Sequence, residues 1–467
     1  MAADAPSVTA RSERSPGLLA RIGLRTPEQR AWAMYDWANS AMIVIVVTAV
    51  FPIFFSSYAG ADLPRATATF RHSIATTIGL TIIALLSPLL GAIADYKPLK
   101  KKMLGGFLAL GVVAIALMFF IPRGGWLIGA VLFVLANIGA NGSFVFYDSL
   151  LPHVADTREI DRVSTAGYAL GYVGGGLILL VSLVAIQRPD LVGLPSGEGL
   201  TPAEASLPAR LAFVATAVWW ALFAIPLFRR VPEPKVRVVD DSERRLGPVR
   251  AAVGRLRRTF GELRRYRNAF LLLVAFLIYN DGIGTIIRMA AIYGEEIGIE
   301  RGALIGAIVL VQFVGIPFAF LFGQLATRIG SKSAVFMGLA AYVGITVVGY
   351  FMRTATHFFV LAALVGMVQG GTQALSRSLF GSMIPRHESG EFFGLFAVFE
   401  KFAGIFGPAI FGLMLALTGS SRSAILSIVV FFVVGAILLT LVNVDDGRRV
   451  AREAERSVAV PPSPTTA

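Results

Sequence analysis

Residues 31–59 read AWAMYDWANSAMIVIVVTAVFPIFFSSYA, an apolar run with a single charged side chain, Asp36. About 20 mainly apolar residues cross the hydrocarbon core of a bilayer as a helix. Five further runs of this kind follow at 70–96, 102–121, 126–152, 163–187 and 208–229. Six more occupy 268–294, 302–327, 333–353, 357–385, 391–417 and 422–443. In lipid the backbone must satisfy itself, and a long apolar segment does so as a helix. The pattern therefore predicts an all-α membrane protein with twelve transmembrane helices, here called spans one to twelve. Composition agrees: of 467 residues 55% are hydrophobic and 15% charged, where soluble domains carry about a quarter charged.

Two pairs of spans end alike. Gly91-Ala92-Ile93-Ala94-Asp95 closes span two, and Gly323-Gln324-Leu325-Ala326-Thr327 closes span eight at an offset of 232. Leu151-Pro152 ends span four, and Ile384-Pro385 ends span ten at an offset of 233. Matching offsets at equivalent places predict an internal repeat, hence two pseudo-symmetric six-helix bundles at 31–229 and 268–443. Flanking them are a basic N-terminal segment, 1–30, a basic linker, 230–267, and a tail, 444–467. Within the linker Val249, Val253, Leu256, Phe260 and Leu263 recur at helical spacing among arginines. That pattern predicts a surface helix on anionic lipid. Residues 1–25 and 450–467 read as disordered, the latter ending Pro461-Pro462-Ser463-Pro464.

The net charge is +13. The N-terminal segment, the even-numbered connections and the tail hold 31 of the 42 Lys and Arg residues, and the odd-numbered connections hold eight. Cytoplasmic loops carry the basic excess, so both termini are expected on the cytoplasmic side of a bacterial inner membrane. This topology accounts for the charge without a nucleic-acid partner. The N-terminal segment has no apolar core and is not expected to act as a cleavable signal. With no cysteine, disulfides, thiolate metal sites and cysteine nucleophiles are excluded. The four histidines are scattered near span ends, and the spans contain no His-x-x-x-His and no Gly-x-Ser-x-Gly. Neither a metal, nor a cofactor, nor an enzymatic activity is expected.

Charges inside a membrane are costly and each invites a partner or a function. Those well within spans are Asp36, Asp148, Asp281, Arg288, Arg377, Glu400 and Lys401. Arg377 and Glu400 lie eight and nine residues from the same ends of consecutive antiparallel spans, both roughly 12–14 Å deep. Arg377 is expected to pair with Glu400 or with Asp148 of the other half. Such a pair would serve either as a lock or as part of a substrate path. Lys401 points about 100° away from Glu400 and is expected to face the central cavity. Asp281 lies in Tyr279-Asn280-Asp281-Gly282-Ile283-Gly284, with Arg288 on about the same helical face. Asp36 and Asn39 occupy the corresponding place in span one, among aromatics that suit either ligand contact or an interfacial anchor. Gln373 and its polar neighbours in span ten, like Asn137, Asn141 and Ser143 in span four, suit a polar solute or interhelical hydrogen bonds equally. The glycines of span five, including Gly171 and Gly174, read as helix packing.

The loop after span two, Gly91-Ala92-Ile93-Ala94-Asp95-Tyr96-Lys97-Pro98-Leu99-Lys100-Lys101, is similar to the signature of the major facilitator superfamily. The resemblance implies a charge network stabilising one alternating-access state, with Gly91, Asp95, Lys100 and Lys101 as gating residues. In the second-half copy Thr327 replaces the acid and Arg328 follows it; Tyr96 and Pro98 also depart from the usual Arg and Gly. More narrowly, Ala31-Trp32-Ala33-Met34-Tyr35-Asp36-Trp37-Ala38-Asn39-Ser40, Tyr279-Asn280-Asp281-Gly282 and Gly370-Gly371-Thr372-Gln373-Ala374-Leu375-Ser376-Arg377-Ser378 resemble the vacuolar-effluxer-like branch. Glu391-Phe392-Phe393-Gly394 and Gly407-Pro408 continue the likeness, which runs from about 30 to 443. Eukaryotic members of that branch export amino acids from the vacuole. The duplicated halves and the acids at corresponding places in spans one and seven point to a monomeric secondary transporter, proton-linked, for a small polar or zwitterionic solute, an amino acid first. A uniporter or a drug or sugar exporter of the same fold is the alternative, ahead of a membrane-embedded enzyme or a channel. Anionic lipids are expected at its cytoplasmic face.

Overall fold

The computed structural model describes residues 18–96, 98–234, 265–296, 299, 301–403 and 406–459. The expected linker helix lies outside them. Among the described residues helices joined by short connections are the only regular elements, with no strand. Eleven helices among the described residues are long and apolar enough to cross a membrane. The twelfth crossing is span eleven, which is broken into Ser389–Phe402 and Phe406–Thr418, neither long enough alone. Spans one to six are Pro27–Ala59, Arg65–Tyr96, Lys100–Leu117, Trp126–Val154, Ile160–Gln187 and Pro202–Arg230. Spans seven to ten are Arg267–Glu296, Arg301–Ile329, Ser331–Tyr350 and Ala355–Ser382, and span twelve joins Ser421–Ser427 to Val429–Thr440.

Local chemistry explains several boundaries. Span one opens with a capping box: Thr26 Oγ1 accepts from the Gln29 N–H and Gln29 Oε1 accepts from the Thr26 N–H, both at 3.2 Å, with Pro27 at the first helical position. Span six repeats the device with Thr201, Pro202 and Glu204. Midway, span one widens into π-helix at Ile43–Ala49 and Phe55–Ala59, on either side of a turn holding Pro52. Proline lacks an N–H and pushes away the carbonyl four residues back, which π geometry accommodates.

Each bundle packs around aromatics. Phe51 stacks on Phe133 at 4.9 Å in the first, and Phe276 on Phe396 at 4.6 Å in the second. Outward faces carry large apolar side chains, with Leu85, Phe120, Val181 and Leu417 all more than half exposed. A soluble protein rarely leaves such a belt bare; lipid covers it. Span five packs on span one as its glycines suggest, since a Cβ on Gly171 would lie 2.7 Å from Ser40 Oγ.

After span twelve the chain forms a further helix, Val444–Ala459. The sequence reading placed disorder from 450, and the structure corrects this as far as Ala459. The segment is strongly two-faced: Ala451 and Ala454 are buried, while charges line the other side. Arg448 Nε donates to Ser382 Oγ at 3.2 Å, and Asn268 Nδ2 donates to Asp446 Oδ2 at 2.8 Å, seating this helix on the second bundle. At the other end Leu18–Arg21 forms one turn within the stretch read as disordered, and Leu24 is buried. The face with the two described ends and the loops after spans two, four, eight and ten is called the basic face below.

Candidate functional site

One buried side chain links the two bundles. Arg377, on span ten of the second bundle, is 4% exposed and reaches into the first bundle. Its Nη1 donates to Asp148 Oδ1 of span four at 3.0 Å, and its Nη2 to Asp36 Oδ2 of span one at 3.3 Å. Nε donates to Ser164 Oγ of span five at 3.0 Å, and Nη2 also to the Ser164 carbonyl at 3.1 Å. Three aromatic faces surround the guanidinium, those of Trp32, Tyr147 and Tyr168, with centroids at 5.0, 5.7 and 4.7 Å. Tyr147 donates its hydroxyl to Asp36 Oδ2 at 2.8 Å. Charge-assisted bonds and cation–π contacts of this kind strengthen away from water. Gly167 is required beside them, because a Cβ there would stand 2.5 Å from Asp36 Oδ2.

Other sequence-nominated groups make different contacts. Glu400, the second expected partner of Arg377, pairs instead with the adjacent Lys401 at 3.1 Å. Lys401 Nζ approaches the Phe144 ring of the first bundle at 5.9 Å. Asn39 is buried three residues beyond Asp36. Gln373 Nε2 donates to Asn280 Oδ1 at 3.1 Å, within the second bundle. Asp281 lies between spans seven and eleven. Its Oδ2 accepts from the N–H groups of Phe406 and Gly407, both at 3.0 Å, capping the second half of span eleven. The Arg288 side chain lies outside the described residues. Asn137 and Asn141 bond back to carbonyls four residues earlier on their own helix, which is neither of the two roles considered for them.

The loop after span two sits on the basic face against span eleven. Asp95 pairs with Lys100 at 2.9 Å and accepts from the N–H groups of Gly390 and Glu391 at 3.1 and 2.8 Å. A buried carboxylate of one bundle thus caps a helix of the other. Lys100 Nζ also donates to Ser389 Oγ at 2.6 Å, and Ser389 to the Ser149 carbonyl at 2.9 Å. Lys101 stands apart from this network and caps span six through the Phe228 and Val231 carbonyls. Lys332 does the same for span twelve at Thr440 and Val442, a structural echo of the repeat. Arg328 is exposed on this face. On the second seam Asp161 of span five accepts from Ser331 and Ser378 of spans nine and ten.

With this geometry in place, comparison with known proteins is informative. Residues 64–452 match the family profile described as vacuole effluxer Atg22 like. The chain belongs to that family. It is an Atg22-like member of the major facilitator superfamily. The uncharacterised MFS-type transporter YxiO of Bacillus subtilis is 37% identical over 436 residues, covering 92% of this chain and 97% of that one. Autophagy-related protein 22-1 of Penicillium rubens is 24% identical over 480 residues, covering 84% and 78%. Among solved structures, the proton:xylose symporter XylE aligns with a TM-score of 0.66 at 12% identity, over 92% of this chain and 98% of that one. At that identity the likeness is one of fold.

Several groups of this Atg22-like site escaped the sequence reading. Trp32 stands there only as one aromatic of a possible anchor, and Ser164 and Tyr168 carry no role. Neutral aromatics and serines in a span look like packing until a charge is placed beside them. The seam at Gly91 carries a prediction. A Cβ there would run into the Gly390 carbonyl, so Gly91→Val is expected to hold the basic face open. Overpacking costs about 1–3 kcal/mol, equivalent to roughly 5- to 150-fold in favour of the open form. The chain has no cysteine, so maleimide labelling at Ser149→Cys, fully buried behind the seam, reads this directly. Unchanged labelling would show that the seam does not gate access.

Proposed function

We propose that this protein is a secondary active transporter that moves a small polar or zwitterionic metabolite, an amino acid in the first instance, by alternating access. The observation that supports this most is a guanidinium of one bundle held by two carboxylates of the other, Asp36 and Asp148. A purely structural pair is more simply built within one bundle. A pair split across the bundles must break when they rock apart, which ties a charge rearrangement to the conformational step. Breaking it leaves two carboxylates that need a cation or a proton, and this links the step to a proton gradient. Glu400 and Lys401, carrying opposite charges beside the first bundle, suit a zwitterion. Asn39 and the Asn280–Gln373 pair add polar groups on each side of the path.

In this reading the basic face is cytoplasmic, both termini lie inside a bacterial cytoplasmic membrane, and anionic lipids contact that face. Asp95 and Lys100 hold it shut, and Asp281 serves the hinge of span eleven. The chain acts as a monomeric carrier and not as an enzyme.

The test is counterflow of labelled amino acids in proteoliposomes, with and without a pH gradient. Saturable exchange is expected. Asp36→Asn and Asp148→Asn are expected to lower gradient-driven accumulation about ten- to a hundredfold, the worth of one charged hydrogen bond, while exchange persists. Flux that fails to saturate would refute a carrier. Accumulation indifferent to pH and to both substitutions would refute proton linkage.

A further inference from the structure

Among the described residues, the hydrogen-bond acceptors and aromatic rings that touch Arg377 belong to the first bundle, while Arg377 itself belongs to the second. The acceptors are Asp36, Asp148 and both oxygens of Ser164. The aromatic faces are Trp32, Tyr147 and Tyr168. When the bundles part, the cation leaves and the recognising groups stay together on one body. We propose that this pocket is a binding site for an organic cation, and that Arg377 occupies it as an internal stand-in for the guanidinium or ammonium group of a basic substrate. This deepens the carrier reading above and rests on it.

Three features favour a ligand site over a bare ion pair. First, the pocket is braced without Arg377. Trp32 stacks on Tyr147 at 4.5 Å with 13° between planes, and Trp32 Nε1 donates to the Tyr147 carbonyl at 3.0 Å. Tyr147 in turn holds Asp36. Withdrawal of the guanidinium therefore leaves a formed cavity. Second, the pocket carries two carboxylates against one guanidinium, so an incoming cation is attracted even at partial separation of the bundles. Third, three π faces do nothing for a proton and little for a strongly hydrated metal ion. They favour a weakly hydrated organic cation, above all guanidinium.

The consequence is competition. A basic substrate and Arg377 cannot occupy the pocket together, so the substrate binds the form whose basic face has opened and shifts the population toward it. Closing that face returns Arg377 and expels the ligand's cationic group toward the rest of the path. A basic amino acid, with a guanidinium or ammonium at the end of its side chain, meets these demands.

The test is chemical replacement of the missing group in the purified full-length protein. In Arg377→Ala, millimolar methylguanidinium or agmatine is expected to raise the melting temperature by about 2–4 °C. Sodium chloride and urea at the same concentration are expected to do nothing, and Arg377→Ala combined with Asp36→Asn should lose the response. Should Arg377→Ala not fold, Arg377→Gln serves in its place. In the wild type, labelled arginine should bind saturably and be displaced by agmatine but not by leucine. No stabilisation by methylguanidinium in either variant, or the same stabilisation by sodium chloride, would overturn the proposal, as would wild-type protein that binds leucine and not arginine. These readouts need no transport. Failure of counterflow with every amino acid would instead count against the carrier reading.

Discussion

Arg377→Ala is expected to be among the most damaging single substitutions in this protein and to open its basic face. Removing the guanidinium leaves Asp36 and Asp148 largely buried without their cation; their side chains are 13% and 15% exposed. Breaking a buried pair from one side costs about 3–5 kcal/mol. Because the pair spans the bundles, that cost falls on the form in which they meet. The equilibrium should move toward the open form by roughly 10²- to 5 × 10³-fold. Maleimide labelling at Ser149→Cys should rise accordingly, and uptake should fall. Arg377→Lys should recover only part of the loss, since one ammonium cannot reproduce the four contacts made by a planar fork. Adding Asp36→Asn to Arg377→Ala should restore part of the closed form, a coupling that a double-mutant cycle measures. An Arg377→Ala protein with wild-type labelling and flux would show that the contact carries no load in either state.

The second large effect is expected at Asp281. Its carboxylate satisfies two backbone donors at the start of Phe406–Thr418, a half-helix that begins at membrane depth. Asp281 is 1% exposed there, and a buried donor that loses its acceptor is costly. Hydrogen bonds to a charged group are worth about 1.5–3 kcal/mol each, so Asp281→Ala is expected to lose about 3–5 kcal/mol. Asp281→Asn keeps one oxygen as acceptor and should lose less than half of that. Amide exchange across Phe406–Thr418 should accelerate while span seven stays protected. Uniform acceleration over the whole second bundle would mean that Asp281 stabilises the core rather than the break.

How far the sequence revealed these features depends on the kind of signal each one leaves. Span existence is written in hydrophobic length, and the twelve runs correspond to the helices of the structure. The repeat is written in paired offsets, and Lys101 and Lys332 capping the last span of each half express it. Buried charge is conspicuous, so Asp36, Asp148 and Arg377 stand out in the sequence. Depth along a helix follows from rise per residue, whereas azimuth does not. That is why Glu400 looked as good a partner for Arg377 as Asp148. The break in span eleven leaves no gap in hydropathy, because Phe402 through Pro408 is apolar or glycine. Its trace was Gly407-Pro408, where a proline near a helix start removes a donor. Asp281 meets that break from a span far away in sequence, a contact that no local spacing reveals. The tail helix was hidden by Pro461 to Pro464, whose composition coloured the reading of the residues before them.

The central claim is that the two bundles alternate, and that Arg377 lies in the first bundle only while the basic face is closed. Spin-label distances in the cysteine-free chain test it most directly, with one pair at Thr157→Cys and Thr327→Cys on the basic face and another at Leu191→Cys and Thr354→Cys on the opposite face, all at exposed positions. Arg377→Ala should lengthen the first distance and shorten the second. A change at neither pair, or both distances moving in the same direction, would contradict the account.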